Sequence, residues 1–265
     1  MNEALQFATT LARQVGQLLL GYFQTGWSSY QVKEDYSIVT EADIAADQLV
    51  AKMIREKYPS DLILSEELSP QLTFTEGNVV WIIDPLDGTT NFSLGLPLWG
   101  VSIARVQNHH PDLAVIYFPV MDELYTAQAG DGAIYNGVQF QVIPPVKDQT
   151  APFFGCCSHT HKEYDVRVPY KTRILGSTTY NLCAVARGAA VLGFEAVPKI
   201  WDLAAGWLLV QEAGGVIEVY DGPSLFPLSS EIHYARQAYP TISAATPAMI
   251  AKGRDMITPK RDGTG

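Results

Sequence analysis

Cysteine is scarce in this chain: there are three in 265 residues, at positions 156, 157 and 183. Two are adjacent and none has metal-knuckle spacing, which excludes a disulfide framework and points to a reduced compartment. Positive charge is also short, with 18 Lys and Arg against 28 Asp and Glu and a formal charge of -10. That balance excludes long-range attraction to nucleic acid or to an anionic membrane. It also means that an acidic site facing a phosphate ester would repel it, so functional carboxylates here require intervening cations. No segment approaches the roughly 20 apolar residues of a membrane span. The first residues lack the basic, apolar and small-residue succession of a secretion signal, so the expected location is the cytoplasm. A phosphate loop ending in Gly-Lys-Ser or Gly-Lys-Thr and a dinucleotide glycine fingerprint are both missing. The five histidines, His109, His110, His159, His161 and His233, sit away from the acidic motifs and read as surface or core residues. No cysteine has a setting that would make it a nucleophile.

What is present is an apolar run that meets two carboxylates. Val79 to Ile83 is β-branched and aromatic and predicts a buried strand, with Pro85 and Gly88 expected to stop it. Asp84 and Asp87 then stand at the strand's C-terminal end, and Gly88-Thr89-Thr90 opens a helical turn whose free N–H groups suit a phosphate. Taken alone, an Asp-Gly turn is better explained by aspartates that cap backbone groups, but the apolar run before it and the threonine pair after it weigh against that explanation.

Around this centre the hydrophobic spacing predicts a scaffold. Leu5, Ala8, Leu11, Ala12, Val15, Leu18, Leu19 and Tyr22 form one face of a helix ending near Gly26. A second helix is expected from Thr40 to about Tyr58 with Pro59 as its stop, and Thr40 with Asp43 matches a capping box with the shorter acid. Leu62-Ile63-Leu64 predicts a short strand delivering Ser65-Glu66-Glu67. An antiparallel meander follows at Trp99–Val106, Leu113–Phe118 and Glu123–Ala129, with a hairpin at Asn136-Gly137 leading into Val138–Ile143. From about Phe153, short apolar runs at Ile174-Leu175 and Ala190–Glu195 alternate with a helix near Tyr180–Arg187. Another helix opens at Trp201-Asp202, with Asp202 in an N-cap position, and closes at Gly214-Gly215. The expected division is therefore residues 1–145, an N-terminal α+β layer with the acidic motifs, and 146–265, an α/β layer completing the site.

Glu66, Asp84, Asp87 and Asp202 share one property: each lies at the end of a regular element, where side chains from different layers converge. Hard cations such as Mg²⁺ need few protein carboxylates, and two ions can flank both the attacking and leaving oxygens of a phosphoryl transfer. In this order, Lys33, Thr40-Glu41-Ala42-Asp43, Ser65-Glu66-Glu67, Asp84 to Phe92, Trp201-Asp202 and Ala213-Gly214-Gly215 resemble the inositol monophosphatase family. The resemblance runs from about Lys33 to Gly215. It implies the layered α-β-α-β-α sandwich, an α+β or α/β fold shared with fructose bisphosphatases, in a lithium-sensitive and commonly homodimeric phosphatase. Carried onto this chain, it implies two or three Mg²⁺ per site. Glu66, Asp84 and the Leu86 carbonyl would hold one ion; Asp84, Asp87 and Asp202 would hold a second. Metal-activated water would attack near Glu66 and Thr89, with Asp43 supporting the proton route. Gly88 and Thr89 would take phosphate oxygens, and Asp87, Gly176-Ser177-Thr178, Glu195 and Asp202 would contact the substrate.

The chain departs from the family at two places. Thr178 stands where many inositol-selective members have alanine, and Pro145 to Arg173 lacks an obvious match. Both touch the substrate side, so the ester is expected to be inositol monophosphate or a similar small polyol or sugar phosphate. Fructose 1,6-bisphosphate, histidinol phosphate and a 3′-phosphonucleotide are the alternatives. The Asp-Gly-Thr ending also resembles haloacid-dehalogenase phosphatases, but their paired aspartates are separated by one residue, and Asp84 and Asp87 by two. A regulatory binding protein that keeps the fold is the non-enzyme alternative.

Overall fold

In the computed structural model, alternate residues of one strand serve two cores. Residues 2–25, 30–32, 38–68, 75, 77–144, 153–229 and 232–260 are described; Lys33 and Pro145 lie outside them. The chain opens with α1 (Glu3–Gln24), β1 (Tyr30–Val32), β2 (Ile38–Thr40) and α2 (Glu41–Lys57). A seven-stranded sheet follows: β3 (Leu62–Ser65), β4 (Val80–Asp87), β5 (Gly100–Gln107), β6 (His110–Phe118), β7 (Glu123–Gln128), β8 (Gly132–Tyr135) and β9 (Val138–Phe140), in that order, with the short α3 (Thr89–Ser93) after β4. Only β3 and β4 pair in parallel; the rest is the expected antiparallel meander. The second half contributes β10 (Phe153–Cys156), α4 (Thr160–Glu163), β11 (Tyr164–Val166), β12 (Lys171–Arg173), α5 (Thr178–Ala186) and β13 (Ala190–Glu195). It ends with α6 (Ile200–Glu212), β14 (Val216–Val219), β15 (Thr241–Ala244), α7 (Pro247–Met256) and β16 (Ile257–Pro259). Its five-stranded sheet has the order β12-β10-β13-β15-β14.

Side chains of a strand alternate between faces. In β4, Trp81 and Ile83 pack with Leu11, Val15 and Ile54 of α1 and α2, while Val80 and Ile82 pack with Leu203 and Val210 of α6. Each such fully buried aliphatic contributes about 1.5–3 kcal/mol. Helices α5 and α6 form the central layer, and the small sheet lies beyond them with Leu192, Phe194 and Ile242 packed on Ile250 of α7. The result is the expected α-β-α-β-α sandwich. The α6 side of the large sheet forms one continuous core drawn from both halves of the chain, including Ile82, Phe118, Leu182 and Trp207.

Three local expectations differ from what forms. Strand β4 does not stop at Pro85 but continues to Asp87. Asp84 pairs with Ser102 and Asp87 with Gly100, so three steps on β4 oppose two on β5. A proline has no N–H to donate, and a bulge tolerates one. Ile174-Leu175 is a connection after β12, and α5 starts at Thr178 instead of near Tyr180 because the Ser177 hydroxyl caps it, accepting from Tyr180 N at 3.1 Å. Asp202 is the third residue of α6, not its N-cap; its Oδ2 accepts the Lys199 N–H at 2.7 Å. The capping box at Thr40 forms as expected, with Thr40 N donating to Asp43 Oδ2 at 2.7 Å.

The central layer depends on Gly206, where α6 closes on α5: a Cβ there would stand 3.0 Å from Leu182 Cβ. Gly206→Val is expected to destabilise the fold by about 1–3 kcal/mol through overpacking, read as a lower urea midpoint with an unchanged slope.

Candidate active site

The bulge in β4 decides which way the acids point. Asp84 continues the Val80, Ile82 face and looks toward α6. Without the extra residue Asp87 would face the opposite side; with it, Asp87 returns to the face of Asp84. Helix α6 brings Asp202 from the other side, its first turn tied to β5 where Ser102 Oγ donates to the Trp201 carbonyl at 3.4 Å. The turn after β3 brings Glu66. Carboxylate oxygens of Glu66, Asp84 and Asp202 come within 4.8 Å of one another.

These groups shift one another. Burial pushes the Asp84 carboxyl well above the usual carboxylate range, and the charges of Glu66, Asp87 and Asp202 push it further. Asp202 is raised likewise, by burial and then by Glu66 and Asp87. An all-oxygen, mutually repelling set at this spacing suits a hard divalent cation, which would neutralise the charge that the acids cannot share. The residues present therefore fit Mg²⁺. Leu86 lines the same cavity, of about 220 Å³, together with Gly88, Thr89, Gly176 and Thr178.

Asp87 also lines this cavity but is not within the three-carboxylate cluster. The N-terminus of α5 engages it: Ser177 Oγ and Thr179 Oγ1 donate to its Oδ2, joined by Thr179 N at 2.9 Å, while Thr178 N donates to Oδ1 at 3.3 Å. Burial raises its pKa and these donors oppose the rise. Ser177 is thus occupied with capping α5 and holding Asp87.

Thr89 stands at the start of α3. Its hydroxyl lies 2.9 Å from Asp43 Oδ1 and 3.0 Å from the Leu86 carbonyl, two acceptors for one proton. Asp43 is buried and its pKa is raised mainly by desolvation, with hydrogen bonds from Thr40 and Thr89 acting against it. Gly88 precedes the helix at φ 91°, and a Cβ there would meet the Leu98 carbonyl at 2.9 Å, so glycine is required. Gly176 has a like constraint at φ 76°, because Asn91 crosses it to donate to the Leu98 and Leu175 carbonyls at 2.7 and 2.8 Å.

A second cavity of about 350 Å³ adjoins the first and shares Asp87, Thr90, Gly176 and Thr178 with it. Glu195 lines this side, 2% exposed, with its pKa pushed up to about 8, chiefly by burial. Asn181 Nδ2 donates to its Oε1 at 2.7 Å and Thr178 Oγ1 to its Oε2 at 3.3 Å. Every expected site residue thus lies on or beside these two cavities, except that Asp43 reaches them through Thr89. Sequence reasoning does not single out Thr179, Asn181 or Asp47. The Gly-Ser-Thr-Thr run carries a helix-capping signal that points to the first of these; the other two become visible only through contacts distant in sequence.

Comparison with known proteins agrees with this geometry. The family model described as the inositol monophosphatase family matches residues 1–251. The chain is 35% identical to the Escherichia coli protein named Nus factor SuhB, with 88% of this chain and 91% of that protein covered. It is 34% identical to the fructose-1,6-bisphosphatase/inositol-1-monophosphatase of Thermotoga maritima, covering 83% and 86%. A solved Thermotoga maritima IMPase superposes with a TM-score of 0.76 at 29% identity, over 95% of this chain and 94% of that one. With its layered fold and its acids gathered between the layers, the chain belongs to the inositol monophosphatase family.

Proposed function

We propose that this protein is a Mg²⁺-dependent phosphomonoesterase that hydrolyses inositol monophosphate or a similar small polyol or sugar phosphate by direct attack of water. The observation that carries this reading is the convergence of Glu66, Asp84 and Asp202 beside the Gly88-Thr89 turn. Glu66, Asp84 and the Leu86 carbonyl would hold one ion, and Asp84, Asp202 and the Oδ1 side of Asp87 another. Bound Mg²⁺ would supply the Lewis acidity that activates water and neutralises the transferring phosphoryl group. The Thr89 hydroxyl can accept a proton only while passing its own to Asp43, and the raised pKa of Asp43 suits it to take one. The Gly88 and Thr89 N–H groups would orient phosphate oxygens. In this reading residues 1–145 supply the metal and phosphate motifs, and 146–265 complete the site with Asp202 and the residues around Glu195.

The alcohol side favours a polyol over a second anion. No Lys or Arg is among the described residues lining either cavity, while Asp87 and Glu195 both face the larger one. Hydroxyl groups can exchange hydrogen bonds with these acids, whereas a second phosphate would find no cationic partner among the described residues on this side. The reading carries with it lithium sensitivity, a homodimer and a cytoplasmic location; among the described residues no helix is long and apolar enough to cross a membrane. A second reading, a regulatory binding protein retaining the fold, is favoured by the relationship to the protein named Nus factor SuhB. The full set of acids supports turnover over that alternative.

Three outcomes are expected. Phosphate release from inositol 1-phosphate should need Mg²⁺, vanish in EDTA, and exceed release from fructose 1,6-bisphosphate; no release from any member of a small sugar-phosphate panel would end the enzymatic reading. Asp84→Asn should cut kcat by about 100-fold or more while circular dichroism stays unchanged, and wild-type-like turnover would refute the metal assignment. In EDTA the folded protein retains protons on Glu195, Asp84 and Asp202 that the unfolded chain releases. Stability should therefore fall as pH rises from the ordinary carboxylate range toward about 8. Thermal melts at about pH 5.5 and 8 should show this fall, with Mg²⁺ restoring more at the higher pH, since ligand carboxylates must be deprotonated.

A further inference from the structure

Asp47 sits one helical turn after Asp43 on α2 and is 0% exposed, yet the chemistry outlined above does not use it. A buried carboxylate is costly unless hydrogen bonds satisfy it. Here the Asp47 Oδ2 accepts the Leu68 N–H at 2.9 Å and the Glu67 N–H at 3.2 Å. Both amides belong to the turn that leaves β3 and carries Glu66. The two acids of α2 thus brace two arms of the site: Asp43 takes the Thr89 hydroxyl at the phosphate side, and Asp47 takes the backbone immediately after Glu66.

This brace matters because the three members of the acid cluster do not stand on equally regular backbone. Asp84 is fixed by an interior strand and Asp202 by the first turn of a 13-residue helix. Glu66 stands on a turn, and its charge opposes those of Asp84 and Asp202. Repulsion therefore tends to swing the Glu66 arm outward, lowering the fraction of molecules in which three carboxylates present themselves together. Charge-assisted bonds from two successive amides to one buried oxygen resist that swing.

We propose that Asp47 is a positioning residue: by fixing the backbone at Glu67 and Leu68 it holds Glu66 in the acid cluster and sets the affinity of the site for its divalent cation. This rests on the metal reading given above. A support of this kind typically changes metal affinity by about 10–100-fold when removed, with little effect on the chemistry once the ion is bound.

The test is calorimetric titration of Mg²⁺ into EDTA-stripped full-length protein, comparing wild type with Asp47→Ala, Asp47→Asn and Glu66→Gln. Asp47→Ala is expected to weaken Mg²⁺ binding by about tenfold or more, and Asp47→Asn, which keeps one acceptor oxygen, by less. At saturating Mg²⁺ kcat should stay within about threefold of wild type, a split that general loosening of the fold would not produce. If Asp47→Ala fails to fold, Asp47→Asn carries the comparison alone. Mg²⁺ affinity within twofold of wild type in a folded Asp47 variant, with Glu66→Gln weakened, overturns this inference and leaves the metal reading standing. Unchanged affinity in Glu66→Gln overturns the metal reading and this proposal with it.

Discussion

Carboxylates that repel one another, gathered at a partly buried junction between layers, are the constraint on which this protein depends. Asp84 and Asp87 are almost fully buried, Asp202 approaches from the facing helix, and Glu66 completes the group from a turn. Left to themselves such groups would separate or take up protons. The fold opposes separation by rooting Asp84 and Asp87 in one strand, Asp202 in the facing helix and Glu66 in a turn braced from α2, so the remaining relief is protonation or a cation. A site of this kind is preorganised: the protein bears the cost of gathering the charges, and a divalent ion recovers it on binding.

The rigidity comes from polar groups that have no part in the core. α2 supplies Asp43 and Asp47, one turn apart, to brace the start of α3 and the turn after β3. α5 presents its free N–H groups and two hydroxyls to Asp87, so the helix terminus and the acid satisfy each other. Asp202 binds the backbone of its own helix start at Lys199 while its carboxylate faces the cluster. Asp43, Asp87 and Asp202 thus spend part of their hydrogen-bonding capacity on holding local backbone or neighbouring side chains in place, which helps to keep a loop-rich site aligned between two layers.

The alcohol side follows a different logic. Thr178 and Asn181 both donate to Glu195, so the residue that departs from the family's common alanine is engaged with a carboxylate whose pKa lies near neutrality. The added hydroxyl alters the hydrogen-bonding surface of the cavity without adding charge. In the proposed function, selectivity among phosphate esters would rest on which hydroxyls a substrate can offer to Glu195 and Asp87, in a cavity whose described lining carries no cation.

Much of this was legible in the chain alone. Hydrophobic period gave the helices of the first half and the meander, because those elements bury one face against one partner and so display a regular pattern. The acids at element ends, with the family motifs, pointed to residues that the structure gathers around two adjoining cavities, since residue type and spacing carry the chemistry. Other features belong to tertiary structure. The bulge at Pro85 turns Asp87 onto the face of Asp84 only because β5 pairs beside it. Whether Asp202 caps a helix or faces a neighbouring acid, and whether Asp87 lies within the cluster or against α5, depends on groups about 90 or more residues away in sequence. Asp47 carries no signal of its own in the sequence, and its role appears only where the turn after β3 folds onto it. Sequence determined which groups were available, because local pattern and residue chemistry are written along the chain. Tertiary structure decided which of them meet and which merely support, because both are set by long-range packing that no local pattern encodes.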